Sequence, residues 1–177
     1  DTWISKNQPH TIEGLKENGT YTLREDLSPL GYYQTTDISF TVNQGKLVQQ
    51  IEMKDAPVMY KIKKVDENGN IVSGVKLKLF DRTDQEEIPL ENDGITTEKP
   101  FILDKVLKIG HTYELIEEEI VAGVFQAANL TFVVPKVNND AACITITMVD
   151  ETTGVFVNKV DQYGNGVVNT KLEILEA

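Results

Sequence analysis

Apolar residues recur at every second position along most of the chain. Ile38-Ser39-Phe40-Thr41-Val42, Val75-Lys76-Leu77-Lys78-Leu79 and Ile144-Thr145-Ile146-Thr147-Met148 all alternate, as a strand does with one face on a core and one toward water. Turn-forming clusters separate these runs: Glu17-Asn18-Gly19, Ser28-Pro29-Leu30-Gly31, Glu67-Asn68-Gly69-Asn70, Asn92-Asp93-Gly94 and Tyr163-Gly164-Asn165-Gly166. No stretch keeps the period of a long helix. Short strands at this spacing predict an all-β chain built of sandwiches.

The pattern also repeats. Gly19-Thr20-Tyr21-Thr22-Leu23-Arg24-Glu25 returns as His111-Thr112-Tyr113-Glu114-Leu115-Ile116-Glu117, 92 residues on, and Gly31 and Phe40 return at the same interval as Gly123 and Phe132. Lys64-Val65-Asp66-Glu67-Asn68-Gly69-Asn70 returns as Lys159-Val160-Asp161-Gln162-Tyr163-Gly164-Asn165, 95 residues on. Such self-similarity marks tandem units. The order of the blocks divides the chain into the back part of one repeat (1–57), a complete repeat (58–151) and the opening strands of another (152–177). Asp55-Ala56-Pro57 is the expected junction, because proline cannot donate to a ladder and favours extended backbone.

Alternation assigns each side chain to a face. Tyr60, Ile62 and Lys64 share one; so do Tyr113, Leu115 and Glu117, and Ile144, Ile146, Met148 and Asp150. Three strands therefore each end an apolar face on a charged residue. The outer segments follow suit with Tyr21, Leu23 and Glu25, with Ile51, Met53 and Asp55, and with Val155, Val157 and Lys159. One reading leaves these charges at strand ends, reaching to solvent or forming ordinary ion pairs. The other brings them together in the core. Low dielectric disfavours the charged forms of amine and acid alike, and a neutral amine beside a neutral carboxylic acid can condense to an amide with loss of water. A neighbouring glutamate would relay the protons.

Composition narrows the alternatives. The net charge of −11 over 177 residues argues against a nucleic-acid partner, which requires a basic face. No run approaches the roughly 18 apolar residues of a membrane span, and no signal segment opens the chain. A single cysteine, Cys143, excludes an internal disulfide and a cysteine zinc site. It stands out of phase with Ile144 and Ile146 and reads as a small strand residue. Asp66-Glu67-Asn68-Gly69-Asn70 lacks the distal glutamate of a calcium loop and reads as a hairpin turn. No metal or cofactor is expected.

Thr2-Trp3-Ile4-Ser5, Pro9-His10, Tyr21-Thr22-Leu23-Arg24-Glu25, Ser28-Pro29-Leu30-Gly31-Tyr32 and Ile38-Ser39-Phe40-Thr41-Val42 together resemble the Cna B-type domain of Gram-positive surface proteins. This is the SpaA-type, prealbumin-like domain of pilins. The resemblance implies tandem inverse immunoglobulin-like sandwiches, each with a self-formed Lys–Asp or Lys–Asn isopeptide bond between first and last strands. Carried over, Lys64 is the amine, Asp150 the acceptor and Glu117 the catalytic acid. Glu25 and Asp55 match in the first repeat, and Lys159 alone in the third. Val121 and Val124 stand where the family pattern has a proline and a tyrosine.

The function implied is a structural stalk or pilin-like spacer, extracellular and cell wall-anchored, with no enzymatic activity beyond its own crosslink. The alternative is an adhesin module that binds a host matrix protein or glycan. Expected partners are neighbouring repeats and host extracellular matrix or other surface proteins. A further expectation is that 152–177 complements 1–57, within one chain or between molecules.

Overall fold

A computed structural model describes residues 1–45, 48–119, 121–138 and 142–175. Nine strands and a single 3-10 turn (Glu91–Gly94) make up its regular structure. Seven strands build one sandwich: β3 (Met59–Asp66), β4 (Lys76–Asp81), β5 (Glu86–Ile88), β6 (Phe101–Asp104), β7 (Thr112–Glu119), β8 (Leu130–Val133) and β9 (Ile144–Asp150). One sheet has the order β6-β3-β9 and the other β5-β4-β7-β8. Every pairing between neighbouring strands is antiparallel except β3 with β9, which run parallel from Tyr60 beside Ile144 to Asp66 beside Asp150. The first and last strands of the sandwich therefore lie side by side.

The alternating residues explain why the sheets face each other. Tyr60 and Ile62 from β3, Phe101 and Leu103 from β6, and Met148 from β9 point into the same buried cluster as Leu77 and Leu79 from β4 and Tyr113 and Leu115 from β7. The intervening Thr145 and Thr147 of β9 are exposed. Phe132 bridges the layers, with ring centroids 5.5 Å from Tyr60 and 5.6 Å from Tyr113, the spacing of favourable aromatic pairs. No helix among the described residues is long and apolar enough to cross a membrane.

Upstream, β1 (Thr20–Leu23) pairs with β2 (Ile38–Thr41). Tyr21 lies opposite Phe40 as Tyr113 lies opposite Phe132, the same register 92 residues earlier. This ribbon joins the sandwich through residues 31–34. Tyr33 is 1% exposed and belongs to the core; its N–H donates to the Ala56 carbonyl at 2.9 Å, and Gln34 N–H donates to the Lys136 carbonyl at 2.9 Å. Gly31 makes the close approach: at φ +80°, an added Cβ would stand 2.4 Å from the Lys105 carbonyl oxygen.

Downstream, residues 152–175 form no strand and are exposed, and they hold a local turn. Asp161 Oδ1 accepts the N–H groups of Tyr163 at 2.8 Å and Asn165 at 3.0 Å. Asp66 Oδ1 does the same for Asn68 at 2.9 Å and Asn70 at 2.8 Å. The bridges Val65–Ile71 and Val160–Gly166 flank the two turns, 95 residues apart. One sandwich is complete among the described residues, and the segments on either side carry pieces of the same local geometry.

Candidate functional site: a buried lysine between two carboxylates

Lys64 and Lys63 show how sharply strand phase decides a side chain's fate. Lys63 is exposed, whereas Lys64, one residue on, is 3% exposed and faces the core. Asp150 reaches the same space from the end of β9, diagonally across from Lys64, which is itself opposite Met148. Glu117 enters from the other sheet on β7. All three side chains are fully buried. The Lys64 Nζ donates to Glu117 Oε2 at 3.1 Å and to Asp150 Oδ1.

Two features beyond alternation position Glu117. The β4–β7 ladder shifts register where Leu77 faces Glu117 and Lys76 faces Glu119, so Glu118 is an extra residue. Such a bulge bends a strand and re-aims the side chain beside it. Beyond the strand, Ala127 N–H donates to Glu117 Oε2 at 2.7 Å, and Gln126 Nε2 donates to the Glu117 carbonyl at 2.6 Å. The 126–127 loop thus grips both ends of this residue. Strand phase does not reveal these two partners, although Gln34 stands 92 residues before Gln126 and gives the available signal.

The polar groups are incompletely satisfied. Glu117 Oε1 and Asp150 Oδ2 are buried with no hydrogen-bond partner, an arrangement that costs about 1–3 kcal/mol per group. One amine faces two carboxyl groups in a dry interior, where desolvation opposes charge. Condensation of Lys64 with Asp150 would replace these opposed polar groups by a neutral amide. The tips are within contact, and burial holds them there, so the proximity such a reaction needs is built into the fold.

Two core tyrosines further along the same strands are desolvated as well. Burial pushes the Tyr113 hydroxyl up to about 12, and burial together with the neighbouring Tyr33 hydroxyl raises Tyr60 as well. Their ordinary value is 10.0. A folded value above the unfolded one gives stability that is fully present below pH 10 and is lost as pH rises toward the folded value. Alkaline titration should therefore show the phenolate absorbance of these two residues appearing together with loss of β-sheet circular dichroism. Phenolate signals from all tyrosines before any loss of structure would contradict this.

The outer candidates are only partly assembled. Glu25 Oε2 accepts the Thr35 N–H at 2.7 Å, and Gln34 Nε2 donates to the Glu25 carbonyl at 2.5 Å, matching the grip on Glu117. Asp55 Oδ1 accepts the Thr35 hydroxyl at 2.8 Å. Both carboxylates are half-buried, and no ion pair joins either of them to a described lysine; Lys159 is exposed in the downstream segment. Cys143 is free and half-buried.

Residues 58–152, more than half the chain, match the family model described as SpaA, prealbumin-like fold domain. No curated protein matches the chain. Among solved structures, the chain is similar to the shaft pilin SpaA of Lactobacillus rhamnosus GG, at 17% identity and a TM-score of 0.42. That alignment covers 78% of this chain and 66% of the pilin. A streptococcal ancillary pilin gives 19% identity and a TM-score of 0.39, covering 77% of this chain and 46% of that one. The Bacillus anthracis TIE protein gives 17% identity and a TM-score of 0.40, covering 85% and 32%. The chain thus spans less than two thirds of the length of these relatives. On the match to residues 58–152, the chain belongs to the SpaA family of prealbumin-like fold domains.

Proposed function

We propose that this chain is a structural spacer, a pilin-like stalk segment of a Gram-positive cell-surface protein, made inextensible by an amide that it forms between Lys64 and Asp150. The observation that carries this reading is the fully buried meeting of Lys64, Glu117 and Asp150. The Lys64 Nζ attacks Asp150 Cγ, a C–N bond forms, the C–OH bond breaks, and the hydroxyl leaves with one amine proton as water. Glu117, hydrogen-bonded to the amine, carries that proton.

The mechanical consequence follows from the topology. Tension on the sandwich enters at Val58 before β3 and leaves after Asp150 at the end of β9. With Lys64 joined to Asp150, the load passes along β3 and across the amide to β9. The 85 residues between the joined pair, 65 to 149, whose ends are 86 positions apart, carry none of it. A rod of such units transmits force without unravelling, and it needs no disulfide.

The tandem reading, with repeats at 1–57, 58–151 and 152–177, is supported by the hydrogen bonds that recur 92 and 95 residues apart. Neighbouring repeats are then the principal partners. The cleft beside the 3-10 turn holds about 220 Å3 and is lined by Lys76, Lys78, Glu87 and Asp93 as well as apolar groups. It is smaller and more charged than a usual ligand pocket. Intact-mass measurement tests the proposal: the chain should weigh one water less than its sequence, with Lys64 and Asp150 in one branched peptide after digestion. A full sequence mass would overturn it.

A further inference from the structure

The chain passes from the upstream ribbon to β3 through Asp55-Ala56-Pro57. A single extended link of this kind leaves two parts free to swing against each other. Here a second segment lies along it. Tyr32 bridges Pro57 in the antiparallel sense; Tyr33 N–H donates to the Ala56 carbonyl at 2.9 Å, and Val58 N–H donates to the Gly31 carbonyl at 2.8 Å. The link is therefore half of a short two-stranded ladder, which resists the bending and twisting that a lone strand allows.

Contacts to both sheets fasten that ladder to the sandwich. Lys105, directly after β6, donates its N–H to the Val58 carbonyl at 2.9 Å, and its ammonium lies over the Tyr32 ring, 4.8 Å from the centroid. On the other layer, Gln34 N–H donates to the carbonyl of Lys136, which follows β8. Between these two points the Tyr33 ring enters the core among Val58, Tyr60 and Leu107. Its hydroxyl is buried with no hydrogen-bond partner, so the ring supplies the hold. Gly31 lets the turn seat: only a residue without a Cβ passes the Lys105 carbonyl this closely.

The same ladder recurs where the chain leaves the sandwich. Val124 bridges Thr152 in the antiparallel sense; Phe125 N–H donates to the Glu151 carbonyl at 2.8 Å, and Thr153 N–H donates to the Gly123 carbonyl at 2.8 Å. Gly123, Val124 and Phe125 stand 92 residues after Gly31, Tyr32 and Tyr33, and Glu151, Thr152 and Thr153 stand 95 residues after Ala56, Pro57 and Val58. Both turns begin on glycine and place an aromatic ring third. One bonding scheme thus serves two places in the chain, which marks it as encoded by the turn itself.

We infer that the Gly31–Gln34 turn is a brace, an interaction surface that locks the upstream ribbon and the sandwich into one rigid body at a fixed angle. The seat is made by Val58, Tyr60, Lys105 and Lys136, and the partner it takes is the glycine-led aromatic turn. A bond within a sandwich limits its stretching but leaves bending at the junction untouched; the brace supplies that second stiffness. Its use in a spacer rests on the proposed function, whereas the brace itself needs no amide.

Backbone 15N relaxation on the whole chain tests this. Amides of β1 and β2 should give the same rotational correlation time as those of β4 and β7, and one alignment tensor should fit the residual dipolar couplings of both groups. Tyr33→Ala should shorten the correlation time of β1 and β2 by about twofold, as for a part swinging on a flexible link, while the dispersed signals of the sandwich persist. Tyr33→Phe, which keeps the ring and removes the partnerless hydroxyl, should tumble like the parent. Where Tyr33→Ala costs the sandwich its fold, Gly31→Ala serves instead: it leaves the core side chains in place, lifts the turn from Lys105 and should free the ribbon likewise. Separate correlation times in the parent would overturn the brace, as would a ribbon that stays locked in the folded alanine variants. The one-water deficit is read independently by mass, so its absence sinks the amide and leaves the brace standing.

Discussion

Replacing Glu117 by glutamine is expected to return the missing water to the chain's mass and to lower its melting temperature by roughly 20 °C. The substitution keeps the size of the side chain and its place opposite Leu77, but removes the carboxyl group that, on the proposed function, moves the proton between Lys64 and Asp150. What is lost is a crosslink across 86 residues, which by chain entropy restrains the unfolded state by roughly 4–5 kcal/mol. Per kcal/mol, a domain of this size shifts by several degrees. Mass spectrometry and calorimetry on the same sample settle the matter. A glutamine variant that keeps the deficit, or melts within a few degrees of the parent, would show that Glu117 neither drives the bond nor matters to its consequence.

The second large effect is expected at Gly94→Ala. Gly94 has φ +79°, and an added Cβ would stand 2.2 Å from the Leu77 carbonyl oxygen. The left-handed backbone alone costs an alanine about 1–2 kcal/mol. The clash adds about 1–3 kcal/mol, because Leu77 is held in the β4–β7 ladder at the bulge opposite Glu117 and cannot retreat cheaply. A total of about 2–5 kcal/mol should appear as a lower urea midpoint. Because Leu77 is Glu117's partner, amide formation should also slow, visible as a mixed population of masses in fresh protein. An unchanged midpoint would mean that the 91–94 turn can shift away from β4.

The two predictions differ in how visible they were beforehand. Glu117 was singled out by phase: it closes the run Tyr113, Leu115, Glu117, and period two leaves no choice of face once Tyr113 is inside. Asn92-Asp93-Gly94 was legible only as a turn. That Gly94 would pass within contact of a strand carbonyl depends on how the turn folds over β4, and no local pattern encodes that approach. Gln126 and Ala127 belong to the same class. They lie outside any alternating run, and the loop's course brings them to Glu117.

What the amino-acid order determined by itself was local and periodic. Alternation specified an all-β chain, put Lys64 inside and Lys63 outside, and gave Glu117 and Asp150 the same inward phase, because successive residues of a strand must face opposite ways. The Asp66 and Asp161 turns close on their own side-chain bonds and were readable as turns for that reason. Only the tertiary structure decided that β3 and β9 are parallel neighbours, that a bulge re-aims Glu117, and that Tyr33 ties the upstream ribbon into the core. Those features arise from contacts between residues far apart in the chain, whose pairing is chosen by packing and desolvation of the whole sandwich. Periodicity sets the direction of each charged side chain; the fold alone brings the three to one point.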